Sequence, residues 1–165
     1  MRVTGNMKLA AMLIGLALPF CAAHPAAAQE VTLQARQSVA WGPVIVDQDG
    51  RSLYVFSLDN ASGNAGACAE ECLRKWPPLL TEGPPATGPG VEADRVSTIT
   101  RPEGMQVTYD GWPLYYYLED QGGDTHGQDK REFGGPWHLI APDGTVVTQT
   151  VPATPSEKEN GGIGE

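Results

Sequence analysis

The sequence predicts a small, mostly β, antiparallel domain that is built from two related half-units, with about seven short strands and one short helix. The first observation is a pattern, Asp-Gly-x-x-Leu-Tyr-x-aromatic-x-x-Asp, that occurs at residues 49–59 and again at residues 110–120. Every matched residue is 61 positions from its counterpart, and the same offset relates Trp76 to Trp137. A pattern that recurs at a fixed offset indicates two copies of one structural unit.

The second observation is the close spacing of turn residues, which is typical of an antiparallel β domain. It predicts one domain at residues 38–151, with halves at about residues 38–80 and 91–151. Residues 29–37 are polar and without pattern, and we interpret them as a lead-in linker. Residues 152–165 are rich in Pro, Ser, Glu, Lys and Gly, a composition that predicts a disordered tail.

The first half begins with a predicted hairpin. Residues 44–46 are apolar and β-branched, and residues 47–50 form a turn that ends in glycine, where a positive φ is needed. The chain then returns as a strand at residues 53–58. Tyr54 and Phe56 share one face of this strand, because side chains alternate along a strand.

A short helix is predicted at residues 67–75, and the sequence Trp76-Pro77-Pro78 ends it because proline cannot continue the hydrogen-bond ladder. Cys68 and Cys72 lie one turn apart, which places their Cα atoms about 6 Å from each other on a regular helix. In an oxidising compartment an isolated cysteine pair is most often a disulfide. We therefore predict a disulfide between Cys68 and Cys72, carried by this helix.

The second half is predicted to be a meander of short strands. A long glycine-rich loop at residues 120–135 interrupts it, and the other connections are tight turns that contain Pro, Asp or Gly. The strands are predicted at residues 96–100, 105–109, 114–118, 137–141 and 145–149.

Residues 1–28 predict a secretory signal peptide. A basic start and an apolar run at residues 9–21 precede an Ala-x-Ala cleavage site that ends near Ala28. The apolar run is too short for a membrane span, so we expect no transmembrane segment and a periplasmic or secreted protein. Lipid anchoring at Cys21 is disfavoured, because Phe20 precedes this cysteine where a small residue is normal.

The charge of the chain restricts its partners. The formal net charge is −9, which repels phosphate backbones and argues against nucleic acid and anionic membrane surfaces. No phosphate-binding loop, dinucleotide fingerprint or nucleophile–histidine spacing is present in the sequence. We therefore predict no catalytic residues, no enzyme activity and no cofactor. The partner, an envelope protein or a small ligand, is left open, as is the oligomeric state.

The repeated motif resembles that of a known family. The first copy places the motif on Tyr54, Phe56 and Asp59, and the second on Tyr115, Tyr117 and Asp120. The pattern is similar to the secreted-repeat family of predicted bacterial lipoproteins, which is defined by Tyr-x-(Phe/Trp/Tyr)-x-x-Asp. The resemblance implies export, but the family has no known function and implies no catalytic residues.

One loop offers candidate metal ligands. Asp120, Asp124, His126 and Asp129 place several carboxylates and an imidazole on the glycine-rich loop. Their spacing does not match the EF-hand calcium loop, which needs ligands at alternate positions and a distal glutamate. The prediction is therefore a solvated acidic loop without a metal.

Three functions follow from the sequence. The leading hypothesis is a non-enzymatic binding or interaction module at the cell envelope. The first alternative is a periplasmic redox or metal-handling protein that uses Cys68 and Cys72 together with His126 and His138. The second alternative is a carbohydrate-binding module, which requires the Tyr and Trp rings to be exposed in a row.

Overall fold

A computed structural model describes residues 30–59 and 66–149 of the chain. The predicted signal peptide, its cleavage site, Cys21 and the predicted tail lie outside the described residues. The elements, in chain order, are β1 (Thr32–Ser38), β2 (Gly42–Val46), β3 (Tyr54–Phe56), α1 (Glu71–Lys75), β4 (Leu80–Thr81), β5 (Ala86–Thr87), a 3-10 turn (Ala93–Arg95), β6 (Val96–Arg101), β7 (Gly104–Tyr109), β8 (Trp112–Pro113), β9 (Arg131–Glu132) and β10 (Gly135–Leu139).

The strands form three small sheets. Their orders are β2-β1-β5, β3-β10-β9 and β4-β7-β6, with β8 added to β7. Every ladder is antiparallel except that of β1 with β5, which is parallel. The prediction of a mostly β, largely antiparallel fold with two related halves and one short helix is confirmed.

The described residues contain ten strands, more than the predicted number of about seven. The prediction of a linker at residues 29–37 is wrong, because β1 occupies most of it. This strand is polar, and Leu33 is its one fully buried side chain. Backbone pairing with β2 on one side and β5 on the other stabilises it, and pairing of that kind leaves no hydrophobic pattern.

The first predicted hairpin is incomplete. The bridge between Val46 and Ser52 is the one β-bridge between its two arms, and β3 pairs instead with β10 from the second half. The hairpin of β6 and β7 is confirmed over six residue pairs, ending at Arg101 and Gly104. Of the three remaining predicted strands, the one at residues 137–141 overlaps β10, which begins and ends two residues earlier. The other two are reduced to bridges: residues 114–118 contribute Tyr115, and residues 145–149 contribute Val146.

The helix is shorter than the sequence predicts. It begins at Glu71, so Cys72 lies on it while Cys68 lies before it, and the prediction that the helix carries both cysteines is wrong. Glu70 adopts a φ of 48°, which is not helical and stops the helix from extending back to residue 67.

Backbone hydrogen bonds connect the two halves. Residues 54–57 of the first half pair with residues 136–139 of the second, through β3 and β10. At the matching positions, residues 115–118 of the second half bond to residues 75–78 of the first. The first half therefore supplies β3 and β4 to the sheets of the second, further backbone hydrogen bonds join residues 75–78 to residues 115–118, and both halves contribute to the hydrophobic core.

Candidate functional site

The two motif segments meet at the centre of the molecule. The backbone N–H of Tyr54 donates to the carbonyl of Tyr115 at 2.9 Å, and the N–H of Tyr115 donates to the carbonyl of Tyr54 at 2.9 Å. This reciprocal pair relates the halves by an approximate two-fold rotation. Contacts made by the motif residues of one copy can therefore be compared with those of the other.

The motif side chains bond crosswise between the copies. The Tyr54 hydroxyl donates to Asp120, and the Tyr115 hydroxyl donates to Asp59 at 2.7 Å. We call these the crossed pairs. The second oxygen of each carboxylate accepts a backbone N–H of the following loop, from Ala67 at 3.3 Å for Asp59 and from His126 at 3.0 Å for Asp120. Each aspartate thus joins the loop of its own half to the tyrosine of the other.

Aromatic rings from the two halves stack on one another next to the crossed pairs. The rings of Trp76 and Trp137 are parallel within 7°, with centroids 3.9 Å apart. Phe56 stacks on Trp137 at 4.2 Å, and Tyr117 lies on Trp76 at 4.5 Å with its ring tilted by 40°. Edge contacts of Tyr54 with Trp76 and of Tyr115 with Trp137 complete the arrangement at 5.5 and 5.2 Å.

The repeated aromatic residues are therefore core. Tyr54, Phe56, Tyr115 and Tyr117 are at most 1% exposed. The hypothesis that they form an exposed platform for sugar rings is wrong. Aromatic side chains of this size bury about 150–250 Å² each, so their main contribution is to stability.

Burial also changes the titration of these groups. It raises the pKa of the Asp59 carboxyl, although the hydrogen bond from Tyr115 opposes the rise. Burial, reinforced by the neighbouring carboxylates, raises the pKa of the Tyr54 and Tyr115 hydroxyls well above the ordinary value. The tyrosines of the crossed pairs are thus held protonated as donors.

This protection predicts an alkaline transition. All five tyrosines have a pKa above the ordinary value of 10.0, and burial of the hydroxyl is the largest cause of the rise in each of them. In the unfolded chain they ionise near that value, so above it the unfolded state binds fewer protons and stability falls as pH rises. We expect phenolate absorption to appear in one step together with the loss of near-ultraviolet circular dichroism.

The control is the same protein in denaturant, whose tyrosines should titrate near the ordinary value. A gradual phenolate titration while the circular dichroism is unchanged would contradict the burial of these hydroxyls.

Arg101 is a polar core residue that sequence reasoning missed. Its side chain is 5% exposed, and its guanidinium donates to the Tyr115 hydroxyl at 3.0 Å, to Gln106 at 2.9 Å and to the carbonyl of Cys68 at 2.7 Å. The sequence places Arg101 beside Pro102 in a turn, where an arginine is normally exposed. No signal in the sequence indicated its burial.

Gly127 takes the corresponding place beside the other crossed pair. Its N–H donates to the Tyr54 hydroxyl at 3.3 Å. A Cβ atom at this position would lie 2.8 Å from the Tyr54 ring and 2.9 Å from the ring of Trp76. Glycine is thus required here by close packing. The two crossed pairs differ in the donor to the tyrosine hydroxyl, which is Arg101 for Tyr115 and the N–H of Gly127 for Tyr54.

The predicted disulfide is present. Cys68 and Cys72 are bonded with their Cα atoms 5.3 Å apart, and they are 0% and 3% exposed. A buried disulfide is poorly accessible to an attacking thiolate, since exchange depends on access to the sulfur atoms. This burial favours a structural role.

The candidate metal ligands fall into two groups. His126 Nδ1 lies 3.4 Å from Asp120 Oδ1 and 3.7 Å from Asp124 Oδ2, but both oxygens of Asp120 already accept hydrogen bonds. Asp129 belongs to the other group, with its Oδ1 3.0 Å from Nδ1 of His138. Over residues 30–59 and 66–149, no cluster of three or more His, Cys, Asp or Glu side chains is arranged to hold a metal ion.

A groove lies where two sheets end next to each other. It has a volume of about 570 Å³ and runs between β5 and β6. Its lining includes Glu82, Thr87, Ser97, Thr98 and Met105. We call it the edge groove. Residues 81–90 lie between the two predicted halves, where the sequence predicts no strand, so the groove was not found from the sequence.

A second surface feature surrounds the loop between β9 and β10. Phe133 has a φ of 53° and is 41% exposed, and Gly134 follows with a φ of 90°. A left-handed conformation is unusual for a bulky aromatic residue. With Leu118, which is 60% exposed, Phe133 lines a shallow depression of about 330 Å³ that we call the Phe133 patch.

The fold and the crossed pairs define a two-repeat β protein whose copies share one core. A family model described as a secreted repeat of unknown function matches residues 38–80 and 97–141, so the chain belongs to that family. The resemblance found in the sequence is thereby confirmed. Comparison with curated proteins and with solved structures finds no match.

Family membership indicates a secreted protein. Over the part of the chain that the structure describes, none of the helices has the length and apolar character needed to cross a membrane.

Proposed function

We propose that the protein is an exported, non-enzymatic interaction module of the cell envelope, in the periplasm or outside the cell after cleavage near Ala28. One observation carries the proposal. The polar groups that the family motif repeats, Tyr54 and Tyr115 with Asp59 and Asp120, are buried and bonded to one another. They are occupied in holding the halves together, so the motif is a scaffold rather than a reactive site.

The surface of the scaffold supports a binding role. The edge groove borders β5, which lies outside both matched repeats, and the Phe133 patch borders the loop between β9 and β10. Binding residues are commonly carried on loops and edges that a rigid scaffold positions. The shared core would provide the rigidity, and the edge groove and the Phe133 patch would provide the contact surfaces.

Site-directed photo-crosslinking tests this proposal. A photoreactive residue replaces Ser97 in the edge groove or Leu118 in the Phe133 patch, and Asp143, exposed in a turn, serves as the matched control. In intact cells we expect a discrete crosslinked species from at least one of the first two positions and none from position 143.

Enzyme assays provide the opposing test. The purified protein is incubated with ester, peptide, glycoside and phosphodiester substrates, and we expect no turnover. Turnover that one polar substitution abolishes while the fold is unchanged would overturn the proposal.

A further inference from the structure

Strand β6 has an unusually unprotected edge. Residues 96–100 read Val-Ser-Thr-Ile-Thr, with neither a charge nor a proline, and β6 pairs on one side with β7. Natural edge strands normally carry Lys, Pro or a bulge, because exposed backbone groups pair with other chains. An edge of β-prone residues without these features is suited to accept a further strand.

The backbone of Thr98 is turned toward the groove. The N–H of Asp110 donates to the carbonyl of Arg95 at 2.8 Å, which sets the phase of the β6–β7 ladder. Because alternate residues of an antiparallel strand face the partner, Ser97 and Ile99 direct their backbone groups to β7 and Thr98 directs its own away. Within the described residues Thr98 has no backbone partner on that side.

Strand β5 presents a matching edge across the groove. The N–H of Ala86 donates to Val31 at 2.8 Å and the N–H of Gly88 donates to Leu33 at 2.7 Å, so the backbone groups of Thr87 point away from β1. Within residues 30–59 and 66–149, Thr87 also has no backbone partner on the outer side. Thr87 and Thr98 both line the edge groove.

The negative charge of the groove favours extended chains that carry positive charge. Glu82 is its one charged lining residue, and the exposed Asp94 follows Ala93, which also lines it. Glu92, on the other side of Ala93, is paired with Arg95 at 2.8 Å and adds little to this charge. The whole chain carries a formal charge of −9. Complementary potentials accelerate association and suppress partners of the same sign.

We propose that the edge groove binds an extended, basic segment of a partner polypeptide, which adds as a strand between β5 and β6. Main-chain hydrogen bonds to Thr87 and Thr98 would supply affinity, and alternate side chains would enter the groove, as in strand addition generally. The added strand would join the β2-β1-β5 sheet to the β4-β7-β6 sheet. The inference rests on the proposed function, since it names the partner class and the surface of that module.

Binding of synthetic peptides tests the inference. The probe is a labelled peptide of about six residues, the usual strand length, in which Lys alternates with Val. Two matched peptides accompany it, one with Glu in place of Lys and one with alternate backbone N-methylation. We expect the first to bind the oxidised full chain, the acidic one to bind at least about tenfold more weakly, and the methylated one to lose about tenfold for each hydrogen bond removed.

Variants of the protein locate the binding surface. Thr98→Pro removes the N–H that faces the groove, and proline is tolerated on edge strands. We expect it to weaken binding of the basic peptide by about tenfold, whereas Thr100→Pro, on the same edge but outside the groove lining, should not. Glu82→Lys tests charge without touching the backbone, and we expect it to weaken binding of the basic peptide and to strengthen that of the acidic one. Circular dichroism confirms that each variant is folded.

The outcomes separate this inference from the function on which it rests. Equal binding of the methylated peptide, or binding unchanged in both Thr98→Pro and Glu82→Lys, overturns strand addition. Failure of every peptide to bind at millimolar concentration also overturns it. If crosslinking then persists at position 118 and is lost in Phe133→Ser, the interaction module stands and binds through the Phe133 patch. If no crosslink forms at either position, the proposed function fails as well.

Discussion

Replacement of Trp76 with alanine is expected to lower the free energy of unfolding by about 3–5 kcal/mol, the range for deletion of a buried aromatic side chain. Trp76 is fully buried, and its ring contacts Trp137, Tyr54 and Tyr117. These contacts come from both halves, so the cavity would lie where the halves meet and could not be closed by movement within one of them. Denaturant unfolding of the oxidised protein measures the change.

Trp112→Ala is the matched control, because this tryptophan is half-buried and packs against a second cluster of buried side chains, which includes Val107 and Tyr109 and not the aromatic stack. We expect a clearly smaller loss of stability for it. Equal losses at Trp76 and Trp112 would mean that the aromatic stack has no special part in holding the halves together.

A double-mutant cycle between Tyr54→Phe and Asp120→Asn is expected to show a coupling free energy of about 0.5–3 kcal/mol, as for groups that share a hydrogen bond. Each single change leaves a buried partner without its hydrogen bond, which costs about 1–3 kcal/mol. The pair lies 66 positions apart in the chain and belongs to different halves. Unfolding in denaturant, followed by circular dichroism, gives all four free energies.

The control cycle pairs Tyr54→Phe with Asp59→Asn, the aspartate of the same motif copy. Asp59 bonds to Tyr115 and to Ala67, not to Tyr54. We expect near-additivity, within about 0.3–0.5 kcal/mol. Coupling between Tyr54 and Asp59, with none between Tyr54 and Asp120, would contradict the crossed pairs.

The repeat was enough to predict the fold class, the two halves and the secreted family, whereas the disulfide followed from the spacing of Cys68 and Cys72 and from the exported compartment. It could not predict the crossed pairing. Asp59 and Asp120 follow their tyrosines at the same distance, so both copies carry identical local signals. Which aspartate bonds to which tyrosine is decided by how the halves are arranged in space, and spacing along the chain does not record that.

Other features were missed for local physical reasons. Strand β1 is stabilised by backbone hydrogen bonds on both sides, and its polar sequence therefore resembles a linker. Burial of Arg101 depends on three acceptors, of which Gln106 lies on the neighbouring strand while Tyr115 and Cys68 come from segments farther away along the chain. The edge groove requires two strand edges to lie side by side, and β5 consists of two residues, too few to show a pattern.

The backbone pairing between the two halves has a consequence for how the protein assembles. Because β3 of the first half pairs with β10 of the second, and residues 75–78 bond to residues 115–118, these hydrogen bonds form only when the two copies meet. The connection at residues 81–90, which contains β5, makes this meeting intramolecular, and linkers between two units supply effective concentrations up to about the millimolar range. Two separate copies would have to reach that concentration in solution. Covalent linkage thus replaces what would otherwise be a symmetric, concentration-dependent dimerisation.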